Sequence, residues 1–211
     1  MSQTKIGIIG AAGRMGRMLV EAVQQRDDLT LVAACDQAGS AFEGQDVGEV
    51  AGVGPLGVVM DVSPTPVLEK SQVVIDFTLP GATAVHAALA AKMNTPMVIG
   101  ATGMSAEEKA TIETAAETIP IVWAPNYSVG VNLMFKVAAE VAKTLGDDYD
   151  IEIIEMHHRH KVDAPSGTAM GLGEAIASAV GRTLEQDAIY GREGHTGERD
   201  PKTIGFATLR G

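Results

Sequence analysis

Three of the chain's five histidines fall within four positions, in the run Glu155-Met156-His157-His158-Arg159-His160-Lys161. An imidazole exchanges a proton near neutral pH, and a neighbouring cation stabilises negative charge as it develops, so this pairing suits proton transfer to an anionic substrate. Read as a continuing strand with period two, the run puts His157, Arg159 and Lys161 on one face and His158 and His160 on the other. A metal site is the alternative, but no acidic partner is spaced to complete one, and no metal is assigned. Asp163-Ala164-Pro165-Ser166-Gly167-Thr168 follows directly. If a helix starts here, the N–H groups of Ser166, Gly167 and Thr168, with the hydroxyls, form a site for a carboxylate. A plain N-cap by Ser166 is the bland reading of the same residues.

A second constellation opens the chain. Gly10-Ala11-Ala12-Gly13-Arg14-Met15-Gly16 separates an apolar run from a helical pattern. Glycines there let the backbone approach a pyrophosphate, and the helix start favours its charge. Ala12 stands where the commoner dinucleotide fingerprint has its second glycine. Asp36 comes twenty residues after Gly16, at the end of the next apolar run, where a carboxylate accepts hydrogen bonds from a ribose and repels a 2′-phosphate. Gln37 follows it, not an arginine or lysine, which favours NADH over NADPH. Lys5, Arg14 and Arg17 keep a phosphate contact open. Gly100-Ala101-Thr102-Gly103 and Ala124-Pro125-Asn126-Tyr127 also follow short apolar runs, and turns so placed reach a nicotinamide.

These turns require a sheet whose strands end on one edge. Lys5 to Ile9 reads as a strand buried on both faces, the helical spacing of Met15, Leu19, Ala22 and Val23 as an amphipathic helix, and residues 29–35 as a second strand. Residues 39–57, with six glycines, read as a long surface loop. Strand-like runs at Val73 to Phe77, Met97 to Ile99 and Ile121 to Trp123 alternate with helical segments near 82–92 and 105–117. This alternation predicts an α/β fold with a Rossmann-like, doubly wound parallel sheet. Beyond Pro125 the pattern predicts a helix over 130–144, a strand over 150–157, a helix from about Gly167 and a last strand over 203–210, an α+β second domain. The expected division is a dinucleotide-binding domain, 1–127, and a substrate-binding and oligomerisation domain, 128–211. The polar loop Gly191 to Arg199 reads equally as a cover for a site, a link between subunits or a solvated loop.

Composition sets outer bounds. Sixteen Lys+Arg against 27 Asp+Glu give a formal charge of −11, which disfavours nucleic acid as a partner. One cysteine, Cys35, forms no internal disulfide and points to a reducing compartment, and no apolar run reaches the roughly 20 residues of a membrane span. A cytoplasmic protein is expected.

The run E-M-H-H-R-H-K-V-D-A-P-S-G-T-A, with G-A-A-G-R-M-G and G-R-E-G-H-T-G-E-R, resembles the bacterial dihydrodipicolinate reductase family, and the likeness covers essentially the whole chain. The resemblance implies an oxidoreductase that reduces 4-hydroxy-tetrahydrodipicolinate to tetrahydrodipicolinate with NAD(P)H, losing water, in diaminopimelate and lysine biosynthesis. It implies a homotetramer acting on a small dicarboxylate. Carried over by motif, His157 and Lys161 are the catalytic pair, and His158, Ser166, Gly167 and Thr168 touch the substrate. The cofactor contacts are Gly10, Ala11, Ala12, Gly13, Arg14, Met15, Asp36, Gly100, Ala101, Thr102, Ala124, Pro125, Asn126 and Tyr127. Two positions depart from the pattern: Gln37 replaces an arginine found in some relatives, and Ala101 a common threonine. Family members continue past the G-F-A-T-L-R strand, so a second domain incomplete at Gly211 is expected. Rival readings are an aspartate or homoserine dehydrogenase, which lack the E-x-H-H-R-H-K run, and a sensor that binds NADH without turnover.

Overall fold

A computed structural model of the chain describes residues 3–211, which divide into two compact units between Ala124 and Pro125. In the first unit β1 (Thr4–Ile9), α1 (Arg14–Gln24), β2 (Leu29–Cys35), α2 (Val47–Ala51), β3 (Met60–Asp61), α3 (Pro64–Lys70), β4 (Val73–Asp76), α4 (Pro80–Met93), β5 (Met97–Ile99), α5 (Ala106–Ala116) and β6 (Ile121–Trp123) follow one another. The strands form one parallel sheet in the order β3-β2-β1-β4-β5-β6. The chain winds outward from β1 to β3, returns to lay β4 on the other side of β1, and winds out again. The order therefore reverses between β1 and β4, where a doubly wound sheet opens a crevice.

Alternation along β1 supplies both layers of the core. Ile6 and Ile8 belong to a cluster with Val20 and Val23 of α1, Val47 of α2 and Met60 of β3. Ile9 joins the opposite cluster with Val67 and Leu68 of α3, Ala87 and Ala90 of α4, and Ile112 of α5. A strand covered by helices on both faces needs apolar residues at successive positions, as its sequence has.

The expectation of a bare surface loop over 39–57 is corrected. Asp46 caps α2, and its carboxylate takes the N–H groups of Gly48, Glu49, Leu56 and Gly57, which folds the glycine-rich segment into a compact hairpin-like unit. Those donors, Leu56 foremost, hold the Asp46 carboxyl below its ordinary pKa. Val47 is fully buried as a result. The two-residue β3 and seven-residue α3 lie beyond this segment and were not expected. The strand expected to reach Phe77 ends at Asp76.

The second unit contains α6 (Val129–Leu145), a single 3-10 turn over Gly146–Asp148, β7 (Ile151–His157), α7 (Gly167–Ala179), α8 (Leu184–Asp187), β8 (Ala188–Ile189) and β9 (Ile204–Arg210). Its three strands are parallel in the order β7-β9-β8. Ile153 lies in register with Phe206, and both pack with Ile204, Ala169, Ile176 and Ala177. The loop 191–199 is tied back to β7: Arg192 reaches Glu152 through both terminal nitrogens, and Arg199 reaches Glu152, Asp150 and the Ile151 carbonyl. Among the described residues no helix is long and apolar enough to cross a membrane.

Since Ile8 has no exposed surface and sits mid-sheet, Ile8→Ala is expected to lower unfolding stability by about 2–5 kcal/mol, read from the urea midpoint.

Candidate active site

The carboxyl end of β1 turns at Gly10, whose φ of +79° suits a glycine and whose added Cβ would lie 2.8 Å from Thr78 Cγ2. Gly10 and Ala11 donate their N–H groups to the Cys35 carbonyl at the end of β2. Gly13 is the N-cap of α1 and brings no side chain to it, so the first N–H groups of the helix face outward for an anion. A Cβ on Gly16 would stand 2.2 Å from the Gly10 carbonyl oxygen, and only glycine lets the helix start this close to the strand. Ala11 and Ala12 are buried, whereas Arg14 and Met15 are exposed at the helix start. These residues fit a dinucleotide pyrophosphate.

Asp36 follows β2, donates its N–H to the Asp61 carbonyl and receives the Ser40 hydroxyl on Oδ2 at 2.9 Å. Arg17 is engaged elsewhere: its Nε donates to the Ala12 carbonyl at 2.9 Å and its guanidinium lies over the Phe42 ring. Lys5 sits near the amino end of β1, opposite the glycine turn. Arg14 is the exposed cation at this turn. Burial first, then Asp61 and Asp76, push the Cys35 thiol up to about 12, so it stays protonated.

Beside this turn lies a group that the sequence reading passed over. Asp76, fully buried at the end of β4, receives the N–H and hydroxyl of Thr78 and the hydroxyl of Thr83 on Oδ1, and meets His86 Nδ1 at 2.7 Å on Oδ2. Gly100 donates to the Asp76 carbonyl, and a Cβ there would strike the Phe77 ring at 2.1 Å. Ala101 is buried and accepts from Trp123 Nε1, while Thr102 is exposed. The signal was available: D-F-T follows an apolar run as G-A-A-G does, and β4 neighbours β1. Ala124 donates to the Ile99 carbonyl and ends the first unit.

In the second unit one face of β7 grades from apolar to polar, with Ile153, Glu155 and His157 in register with Phe206, Thr208 and Arg210 of β9. The strand stops at His157. The chain then turns, with Lys161 N–H donating to the His158 carbonyl and His160 N–H to His158 Nδ1, so Arg159 and Lys161 do not continue the face of His157. That expectation is corrected: a turn, not a strand, carries the chain on from His157. His158 and Arg159 are exposed. Lys161 Nζ reaches Asp163 Oδ1 at 2.7 Å, and the Asp163 carboxyl is held low because Lys161 and the Gly167 N–H outweigh its desolvation. Arg210, which sequence reasoning missed, donates to the carbonyls of Lys161 and Asp163 and fastens this loop.

Ser166 caps α7 through its hydroxyl to Ala169 N–H, donates its own N–H to Glu155 Oε1 at 2.8 Å and is 2% exposed. Its N–H and hydroxyl oxygen thus tie the helix start to β7 and to the first turn of α7. Gly167 and Thr168 remain at the partly exposed helix start. Thr168 Oγ1 receives Asn126 Nδ2 at 3.1 Å, and Asn126 Oδ1 takes the Ser128 N–H, so this side chain braces α6 against α7. Pro125 packs near Gly171, and Tyr127 is 40% exposed.

Comparison with known proteins decides the family. Residues 4–127 match the family described as dihydrodipicolinate reductase, N-terminus, and residues 130–211 match dihydrodipicolinate reductase, C-terminus. The chain belongs to the dihydrodipicolinate reductase family. The 4-hydroxy-tetrahydrodipicolinate reductase of Magnetococcus marinus is 58% identical over 207 residues, covering 98% of this chain and 77% of that protein. Its counterpart from Alkalilimnicola ehrlichii is 55% identical, with 98% and 78% covered. The solved structure of a dipicolinate-bound dihydrodipicolinate reductase from Paenisporosarcina sp. TG-14 superposes with a TM-score of 0.69 at 27% identity, covering 99% of this chain and 78% of that one. The dihydrodipicolinate reductase fold, Rossmann-like in its first unit, accounts for the sheet order found here.

For this member of the dihydrodipicolinate reductase family, Gly16→Ala should weaken binding of a reduced nicotinamide dinucleotide by about tenfold or more, since the clash with the Gly10 carbonyl displaces the glycine turn. Isothermal titration beside thermal unfolding checks this, and unchanged affinity in a folded variant contradicts it.

Proposed function

We propose that this protein reduces 4-hydroxy-tetrahydrodipicolinate to tetrahydrodipicolinate, with oxidation of a reduced nicotinamide dinucleotide and release of water, in diaminopimelate and lysine biosynthesis. The observation that carries the reading is the end of β7, where His157, the Lys161–Asp163 loop and the start of α7 converge in a chain matching dihydrodipicolinate reductases over both units. The bound nicotinamide supplies a hydride donor. Gly10 to Met15 hold the pyrophosphate, Asp36 the adenosine ribose, and Gly100 to Thr102 and Ala124 to Tyr127 border the nicotinamide.

Two substrate carboxylates need cations and N–H groups. Lys161 and Gly167 N–H both serve Asp163 in this state, so a substrate carboxylate takes them over from an internal carboxylate of the same charge. Thr168 and His158 add donors at the rim. The 4-hydroxyl leaves as water with a proton of the neighbouring ring carbon, His157 gives its proton to the carbon of the enamine-like centre formed on reduction, and Lys161 stabilises the negative charge that precedes it.

NADH is the favoured cofactor. Ser40 fixes one Asp36 oxygen and leaves the other for a ribose hydroxyl, while Gln37 brings no charge for a 2′-phosphate. Arg14, exposed at the helix start, sustains slower use of NADPH. A homotetramer rests on the outer face of β7, where Ile154 and Met156 are each 72% exposed beside Leu209. The location proposed is cytoplasmic.

Aspartate semialdehyde and pyruvate, condensed enzymatically in the assay, supply the substrate, and loss of reduced-nicotinamide absorbance reports turnover. NADH should outperform NADPH. His157→Gln should lower kcat by about a hundredfold or more with NADH affinity near normal; unchanged kcat removes His157 from the mechanism. Ile154→Asp should shift the sedimentation equilibrium mass below that of a tetramer, and a wild-type monomer would overturn the assembly.

A further inference from the structure

On the reading of His157 as the proton donor, we infer that Glu155 is its positioning residue, holding the imidazole through Nδ1 so that Nε2 is the nitrogen presented to the substrate. The two residues are two apart on one strand and share a face of β7. Glu155 is anchored first. Its Oε1 accepts the Ser166 N–H at 2.8 Å and the Thr208 hydroxyl at 3.1 Å, so α7 and β9 both fix the carboxylate, whose side chain is 10% exposed. Its Oε2 is buried with no hydrogen-bond partner among the described residues, and so is His157 Nδ1, 3.5 Å away.

Buried polar atoms without partners are rare and costly, and here one is an acceptor and the other a potential donor facing it. A shift of a few tenths of an ångström closes the bond Nδ1–H···Oε2. The neutral ring then carries its proton on Nδ1 and keeps a lone pair on Nε2. When Nε2 takes up the proton destined for the substrate, the carboxylate stabilises the resulting imidazolium, and when that proton leaves, Nδ1–H stays in place. The ring cannot turn over without breaking the pair.

The surrounding charges do not supply this function. Arg210, in register with His157 on β9, donates to main-chain carbonyls, Lys161 is paired with Asp163, and the first turn of α7 carries no charge. Glu155 remains ionised: burial works to raise its pKa, but Ser166, Thr208 and His157 together hold it below the usual carboxylate value.

The test is nitrogen-15 NMR of the His157 side chain in the full chain without ligands, joined to kcat–pH profiles. In the native protein Nδ1 should bear the proton of the neutral ring. In Glu155→Gln the amide oxygen still accepts from Ser166 and Thr208, but the NH₂ group faces Nδ1 and makes it an acceptor. The proton of the neutral ring should move to Nε2, and the pH profile of kcat should change with it. The kcat should fall roughly ten- to a hundredfold, with KM for NADH unchanged. Thr208→Val, which removes one donor to Oε1 alone, should leave the His157 signals in place. A native ring protonated on Nε2, or His157 nitrogens indifferent to Glu155→Gln, overturns the proposal even if that variant folds poorly, because the native spectrum needs no variant. Turnover with indifferent nitrogens sinks the pair and spares the activity; responsive nitrogens without turnover sink the activity and spare the pair.

Discussion

Parallel strands cannot be joined by a tight turn, and this constraint organises both units. Each strand must be followed by a crossover, so its carboxyl end opens into a turn on the same edge of the sheet as its neighbours'. In the first unit this gathers Gly10, Asp36, Asp76 with Thr78, and Gly100 on one edge, from positions up to 90 residues apart in sequence. In the second it brings His157 and Arg210 level, with the start of α7 tied to the adjacent Glu155. The candidate site residues sit at strand ends, where the crossovers leave backbone N–H groups outside the ladders.

Within that frame the glycines and the small polar residues divide the work. Gly16 and Gly100 admit a carbonyl and an aromatic ring where a Cβ would collide, which sets how near the turns approach their strands. Asp46, Asp76 and Glu155 do the opposite task. Each carboxylate gathers donors from separate segments and so fixes a loop that apolar burial alone would leave slack. Asp46 builds the outer part of the first sheet, Asp76 the floor beneath Phe77 and Thr78, and Glu155 the junction of β7, β9 and α7.

Legibility in the sequence followed the length and burial of each element. Residues 29–35 were read to the residue as β2, and Met97–Ile99 and Ile121–Trp123 likewise, since short apolar runs between Ala-rich helices admit little else. The segment from Gly39 to Lys70 was not legible, because its order comes from the Asp46 carboxylate contacting residues ten and eleven positions away and from a β3 of two residues. At the site, His157, Lys161 and the α7 start stood out as types in a pattern, yet the end of β7 did not. A period-two pattern continues through Lys161 as easily as it stops, and the turn that ends it is closed by His158 through its carbonyl and Nδ1. Glu155 and Arg210 were invisible for a related reason: their roles lie in partners 11 to 53 residues away.

The local charge follows from which cations are neutralised. On a chain of formal charge −11 a dicarboxylate meets repulsion unless some positive charge is left unpaired. Arg182 is paired with Asp147, Arg192 with Glu152, and Arg199 with Asp150 and Glu152, so those arginines stabilise the fold without presenting charge. Arg210 differs, because it donates to carbonyl oxygens only and keeps its full charge at the end of β9. Lys161 differs in another way, since its partner Asp163 is a half-exposed carboxylate of the charge that the proposed substrate carboxylate would bring in its place. Under the proposed exchange the net charge stays constant, which is how an acidic protein would hold an acidic ligand.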